Sequence, residues 1–433
     1  MASRRRSEVS LWESRLTDWQ LLRLGDALSV SHGFAFKGEF FCEYGDLIVL
    51  TPGNFRDEGG FKPKGGKEKF YEGPFPERFL LKKSQVVVAM TEQSKGLLGS
   101  SATIPTNDKY LHNQRIGLLN ITDPCRLDLR FAYHLLNAPF VRQQIQATAT
   151  GSKVRHTAPN RIEAIVAPVP DIECQHRIAR ALDDVDNLVE NNRRRIEVLE
   201  EMARLLYREW FVHFRFPGHE DVGLIDSDLG PIPEEWEAGK FADLVLEVSE
   251  SVGPDEIAEG TPVVGLEHFP RRSTTLHVWD SAHDVGSRRK VFDEGDILFG
   301  KIRPYFHKVV DAPTFGCCST DAIVFRPIEK TFQSRALAIA SSDEFVGVAT
   351  ATSNGTKMPR ANTKILLGYG IPHPTRAVEL AFSGAVGPMN YLRKNFAAQN
   401  RLLREARDLL LPLLVSGELD ITKLELGLEA VGA

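Results

Sequence analysis

The chain has 433 residues, 42% of them hydrophobic and 26% charged, with a formal net charge of −5. That describes an ordinary globular protein of about two to four domains, not a disordered or fibrous one, and five Cys without C-x-x-C spacing exclude a disulfide scaffold and argue against structural zinc. Apolar runs such as Leu409–Val415 fall far short of a membrane span, and the basic start Arg4–Arg6 has no apolar core behind it, so a cytoplasmic chain without a secretory signal is expected.

From Trp19 to about Pro170, strand-like runs at Ile48–Leu50, Val86–Val88 and Ile116–Leu119 are punctuated by Gly, Pro and Asn, and Leu129–Ala138 reads as a helix. After Pro170 the period changes. Ile178, Leu182, Val185, Val189, Asn192, Ile196, Leu199, Ala203, Leu206 and Trp210 form a heptad seam that stops before Pro217. A second mixed segment follows, with strands at Val263–Val264, Ile297–Phe299, Val309–Val310 and Ile323–Phe325 and a helix ending near Phe345. A second seam then runs through Phe382, Met389, Leu392, Phe396, Gln399, Leu403, Ala406 and Leu410, with Pro412 at its end. Each helix is expected to be about 55 Å long, too long to hide its stripe in its own globule, so the two are expected to pair antiparallel. Asn192 and Gln399 near the seam centres then either meet as a buried amide pair that fixes register or turn to solvent.

The chain therefore says the same thing twice. Gly45–Phe55 is echoed by Gly260–Phe269, and Gly151-Ser152-Lys153 by Gly355-Thr356-Lys357, each ahead of a Val-Pro or Ile-Pro pair and a long helix. Both halves also carry clustered base despite the acidic total: Lys62, Lys64, Lys67 and Lys69 in one, and Arg288, Arg289, Lys290, Lys301, Arg303 and Lys308 in the other.

Motifs for chemistry are missing. No Asn/Asp-Pro-Pro-aromatic loop, carboxylate–Lys nuclease pattern or His-Glu-x-x-His occurs, so neither a catalytic residue nor a metal ligand is expected. Gly295–Lys301 matches the start of a phosphate-binding loop, but Ile302 replaces the Mg²⁺-binding hydroxyl and Ile297–Phe299 reads as strand.

Lys290–Tyr305 with Cys318–Pro327, Gly33–Lys37, Asn191–Arg195, Leu206–Phe211 and Arg215–His219 together resemble the specificity subunits of type I restriction-modification systems. The resemblance covers nearly the whole chain in the order domain, helix, domain, helix. It implies an α+β fold of two pseudo-repeated mixed α/β target-recognition domains separated by an antiparallel pair of long coiled-coil helices. The expected boundaries are residues 1–173 for the first domain, 174–213 for the central helix, 214–374 for the linker and second domain, 375–417 for the second helix and 418–433 for the tail.

The resemblance further implies a non-catalytic subunit that reads a bipartite, gapped target in double-stranded DNA, one domain per half-site. Two methyltransferase subunits would dock on the helices, and restriction/translocase subunits would join them. S-adenosylmethionine, ATP and Mg²⁺ would sit on those partners and no cofactor on this chain. Candidate DNA-binding residues are Lys62, Lys64, Lys67, Lys69, Ser94, Lys95, Ser152, Lys153, Arg155 and His156 in the first half. In the second they are Lys301, Arg303, Tyr305, Thr356, Lys357 and Arg360. Arg303 is the preferred base reader, because bidentate Arg–guanine pairs are the commonest specific contact; the Gly-Ser-Lys and Gly-Thr-Lys turns suit phosphate positioning. Two other readings stay open: a single-chain restriction or modification enzyme with an unrecognised active site, and an interaction scaffold that does not bind DNA.

Overall fold

Runs of β-branched residues decide where the sheets form in this computed structural model, which describes residues 19–92, 96–283 and 285–422. Val86–Ala89 is buried throughout, as a central strand covered on both faces must be. It is β2 of a four-stranded sheet with β1 (Leu28–His32), β3 (Ser101–Thr103) and β4 (Ile116–Ile121), ordered β1-β4-β2-β3 with antiparallel neighbours. Gln20–Arg23 pairs antiparallel with Val166–Val169. A smaller sheet holds Phe41–Cys42, Phe70–Tyr71, Ile48–Val49 and Tyr110–Leu111, its last two strands parallel. Helices α1 (Leu129–Asn137), α2 (Pro139–Ala147) and α3 (Pro159–Glu163) complete the main core around Phe131, Leu135, Val141 and Ile162. The Asp128 carboxylate starts α1 by accepting the N–H groups of Arg130 and Phe131. After Pro170, Asp171 accepts the N–H of Cys174 at 2.9 Å and starts the long helix α4 (Ile172–Tyr207).

The second half holds a four-stranded sheet of the same strand order. Strands β5 (Val245–Val248), β6 (Ile297–Gly300), β7 (Val309–Asp311) and β8 (Ala322–Pro327) run β5-β8-β6-β7, and Glu237–Lys240 pairs with Gly370–His373. The phosphate-loop look-alike at Gly295–Lys301 is thus the fully buried central strand β6. Cys317 and Cys318 lie buried in a strand parallel to Pro262–Val264, where burial pushes the Cys318 thiol up to about 12. The helix expected to end near Phe345 is two: α5 (Gln333–Ala340) and α6 (Asp343–Ala351), the break being set by Ser342, whose hydroxyl caps α6 at Phe345 N. Helix α7 (Thr363–Leu367) precedes the second long helix, α8 (Arg376–Ser416).

The described residues divide into two compact units, 19–186 with 405–422 and 187–404. In the first, Ile178 and Leu182 of α4 share a core with Leu411, Leu414 and Val415 of α8, and Arg407 pairs with Asp186 at 3.1 Å. In the second, Asn192 donates to Asn400 Oδ1 at 3.1 Å and the Arg195 guanidinium lies 5.3 Å from the Phe396 ring. Within each unit the helices therefore run antiparallel. Helix α4 ends in a wider π-turn, Arg208–Val212, where Trp210 and Phe211 pack against Phe382 and Trp236 as core.

The seam of α4 is buried at Ile178, Leu182, Val189, Asn192, Ile196 and Trp210 and half-buried between them, as its period predicts, but that of α8 is rotated by one residue. Its buried line is Val386, Asn390, Arg393, Ala397, Asn400 and Arg407, whereas Leu392 is 43% exposed. The reason is polar. Arg393 pairs with Asp311 at 2.8 Å and donates to Asn390 Oδ1 and Thr275 Oγ1 at 3.1 Å. Glu200 of α4 accepts Ser273 Oγ and Thr274 N at 2.9 Å and Thr275 Oγ1 at 2.6 Å. The Arg335–Glu379 pair, 2.7 Å, ties α5 to α8. In the first unit Asp183 of α4 takes Arg130 Nε at 2.9 Å and His134 Nε2 at 2.7 Å, and Gln175 donates to Arg126 O and Pro170 O. Pro412 lies inside α8 near its end, and Gly417, at φ +76°, follows the last helical residue. Among the described residues no helix is long and apolar enough to cross a membrane.

Candidate nucleic-acid interface

In each unit a strand leaving the main sheet meets a short basic turn. In the first unit Thr91–Glu92 follows β2 and pairs antiparallel with Arg155–His156. The turn is closed by Thr150 N to His156 O, 3.0 Å, and His156 N to Thr150 O, 2.8 Å. Gly151 sits at φ +97°, where a Cβ would lie 2.1 Å from Val154 O, so the turn requires glycine. In the second unit Ile302, just past β6, bridges Arg360. Asn354 N to Arg360 O, 3.0 Å, and Arg360 N to Asn354 O, 2.9 Å, close that turn, with Gly355 at φ +100°.

The side chains differ. In the first unit Ser152, Lys153 and His156 are exposed, but Arg155 is drawn inward, donating to Glu92 Oε1 at 3.1 Å and Gln146 O at 2.6 Å. The buried Glu92 carboxylate also accepts Gly96 N at 3.1 Å and Leu98 N at 2.9 Å. Buried Arg142 holds the same segment from its other side, donating to Leu98 O at 3.0 Å, Asp57 O at 3.1 Å and Gly96 O. Burial lowers the Arg142 pKa, leaving this cation costly to keep unless those carbonyls stay in place. Ser94 and Lys95 lie outside the described residues.

In the lysine loop, Lys62, Lys67 and Lys69 are exposed, and the Lys69 ammonium is 5.7 Å from the Phe41 ring. Lys64 points inward, its ammonium on Thr51 Oγ1 and its pKa lowered by burial and then by Lys69, while Glu68 accepts the N–H groups of Lys64 and Gly66 at 3.0 and 2.8 Å. No hydrogen bond or ion pair joins this loop to the Gly151–His156 turn among the described residues.

The second unit brings its candidates together. Arg303 N donates to Pro359 O at 2.7 Å, its guanidinium reaches Lys357 O at 3.4 Å, and Ala361 N donates to Lys301 O at 2.9 Å. Thr356 and Lys357 are exposed, Tyr305 is exposed and meets Phe306 edge-on at 4.9 Å, and Arg360 pairs with Asp321 at 3.2 Å. Of the neighbouring cations, Lys290 stands 3.9 Å from Glu247 and Lys308 is bonded to Leu266 O.

Sequence reasoning passed over Arg271, Arg272, Phe306 and His307, which complete this cluster. Arg272, Arg303 and His307 adopt positive φ of 59°, 50° and 54°. Such backbone costs about 1–3 kcal/mol per residue and collects at functional sites. The adjacent Arg271-Arg272 pair after Pro270 was the available signal. Arg272 and His307 also rim a cavity of about 340 Å³ whose walls carry both signs of charge, including Glu200, Arg204, Asp343 and Arg393. Glu267, His268 and Asp280 put three donor atoms within 4.8 Å of one another. However, His268 Nδ1 already accepts Gly265 N at 3.0 Å, which leaves the ring proton on Nε2, 3.5 Å from Asp280.

Residues 17–201 match the family model described as type I restriction modification DNA specificity domain. The MjaIX specificity subunit of a type I restriction enzyme from Methanocaldococcus jannaschii is 22% identical over 94% of this chain and 95% of its own length. The EcoBI specificity subunit from Escherichia coli is 25% identical over 50% of this chain and 44% of its own. Among solved structures, the type I restriction-modification S subunit from M. genitalium superposes with a TM-score of 0.60 at 14% identity, covering 92% of this chain and 96% of that one, a likeness of fold.

Proposed function

We propose that this chain, which belongs to the type I restriction-modification specificity subunit family, is a duplicated DNA reader whose two units each recognise one half of a gapped target. One observation carries the reading. At the same point of two like-ordered sheets, the chain just past a central strand meets a Gly-Ser/Thr-Lys turn closed by equivalent pairs of main-chain hydrogen bonds. Backbone N–H groups, hydroxyls and exposed Lys153 and Lys357 suit phosphates, which fix register, while side chains beside them read base edges. The differing side chains of the two units make the half-sites different and the target non-palindromic.

Helices α4 and α8 act as the spacer between half-sites, with Asn192 and Asn400 fixing their register and Gln399 beside them. Their outer faces dock two methyltransferase subunits, and restriction/translocase subunits join that assembly in the cytoplasm. The chain itself is non-catalytic and binds no cofactor; S-adenosylmethionine, ATP and Mg²⁺ belong to the partners.

The test is to co-express the chain with the methyltransferase subunit of its system and map methylated positions genome-wide by single-molecule sequencing. A bipartite gapped motif that disappears when this chain is deleted is expected. Complex formation without such a motif would support a scaffold instead, and methylation by this chain alone would show an enzyme.

A further inference from the structure

The arginines that converge on Phe306 in the second unit are not equivalent. Arg272 is spent: its backbone N–H goes to His307 O at 2.9 Å and its guanidinium to Asp343 at 2.9 Å. Arg303 is largely spent, since its main chain anchors to Pro359 O and its Nη2 to Lys357 O. Arg271 is exposed and makes no hydrogen bond or ion pair among the described residues. Its guanidinium instead lies 4.1 Å from the centroid of the Phe306 ring. That ring is also met edge-on by Tyr305 and, at 5.9 Å, by the Arg303 guanidinium.

Reading a guanine needs a planar fork with two adjacent donors free and its orientation fixed in advance. Stacking on an aromatic face fixes the plane and leaves the edge unspent, which reduces the ordering cost on binding. A phosphate contact needs the charge only and carries no sequence information. We infer that Arg271, laid over Phe306, reads a guanine in the half-site of the second unit, and that Arg303 is a positioning residue that holds the turn beneath it. This rests on the DNA-reading proposal above. It moves the base contact away from Arg303, the residue that sequence reasoning preferred.

The discriminating variant is R271K, which keeps the charge and removes the fork, tested with F306L, which removes the platform, and R303K. Each is co-expressed with the methyltransferase subunit, checked for co-purification, and its methylated motif mapped genome-wide. R271K is expected to relax one G·C position in one half-site, discrimination there falling about 10- to 100-fold, with the other half-site and the spacer unchanged. F306L should relax the same position less. R303K should lower methylation at all sites without relaxing any.

Should R271K not accumulate, R271Q is read by the same criterion. A wild-type motif that R271K leaves intact, or weakens evenly at all sites, overturns the inference alone. So does relaxation by R303K without relaxation by R271K, or a wild-type motif lacking a G·C pair in either half. A wild-type complex with no gapped motif overturns the DNA-reading proposal and this inference with it.

Discussion

The Gly151–His156 turn and its counterpart at Gly355–Arg360 are closed by the same main-chain pair, yet the two units fix their loops by different means. The first unit turns several cations inward. Arg155 and Arg142 are spent on Glu92 and on carbonyls of residues 57–98, and Lys64 on Thr51, so their charge fixes loop shape. The second unit fixes shape with strained backbone and with Asp343 and Asp321, which hold Arg272 and Arg360, and leaves Arg271 and Lys357 outward. One scaffold can therefore be re-aimed by changing which groups are buried as fasteners, without altering sheet order. Counting basic residues does not reveal this, because a cation's use depends on whether a buried acceptor faces it.

The heaviest blow to the second unit should come from Arg393→Leu. It leaves Asp311 without its buried partner, and breaking such a pair costs about 3–5 kcal/mol; Lys394, 3.6 Å away, recovers part of that. Hydrogen exchange should show residues 187–404 losing protection while residues 19–186 keep theirs. Equal loss in both would show that the units do not melt separately.

Acid should separate the units next. Burial lowers His277 from 6.5 to about 4, the nearby Arg404, Arg193 and Arg393 adding to that and Glu200 opposing it. A His whose folded pKa is depressed gives stability present above its unfolded value and lost as pH falls from about 6.5 toward about 4, on the order of 2–3 kcal/mol. In the first unit burial alone would raise the Asp183 carboxyl, but hydrogen bonds from His134 and Arg130 outweigh it and hold it below 3.8. Its contribution is present above the unfolded value and lost only below that. Between pH 6.5 and 4 the His277 contribution should therefore be lost while that of Asp183 is kept. A His277→Phe chain should lose most of this dependence, and an unchanged pH profile in that variant would remove His277 as its source.

Glu92→Gln should cost the first unit about 1.5–3 kcal/mol, the range for hydrogen bonds to a charged group. It should also blur one half of the methylated motif while the other stays sharp. Blurring of both halves would mean that Glu92 acts on overall stability and not on one reading loop.

Much of the fold was legible because its signals are apolar and periodic. Val86–Val88 and Ile297–Phe299 read as strands and are the buried centres of their sheets, and the α4 seam from Ile178 to Trp210 packs as its spacing requires. The α8 seam was placed one residue out for a physical reason: Asn390, Arg393, Asn400 and Arg407 occupy the buried line, and hydropathy assigns such residues to solvent. Asn192 shows the same limit. Its buried partner is Asn400, while Gln399, the residue paired with it by spacing, is exposed with Oε1 3.4 Å away. The basic turns were legible from their repeated Gly-Ser/Thr-Lys; which cations in them are free was not, since Glu92, Asp321 and Asp343 are distant in sequence from the arginines they hold.

The smallest effects test the turns themselves. Lys153 and Lys357 are exposed at matched places, so Lys153→Ala and Lys357→Ala should each remove at most one phosphate contact. The slope of log affinity against log salt should then fall by about 0.9 per variant, evenly across DNA sequences. Lys64→Ala is the control that gives this meaning. Its ammonium is committed to Thr51 in a half-buried site, so its loss should lower the stability of the first unit while leaving the salt slope unchanged. Binding of duplex DNA across a salt series by the complex with its methyltransferase subunits reads both. A slope that drops for Lys64→Ala and not for Lys153→Ala would reverse the division between spent and free cations in the first unit.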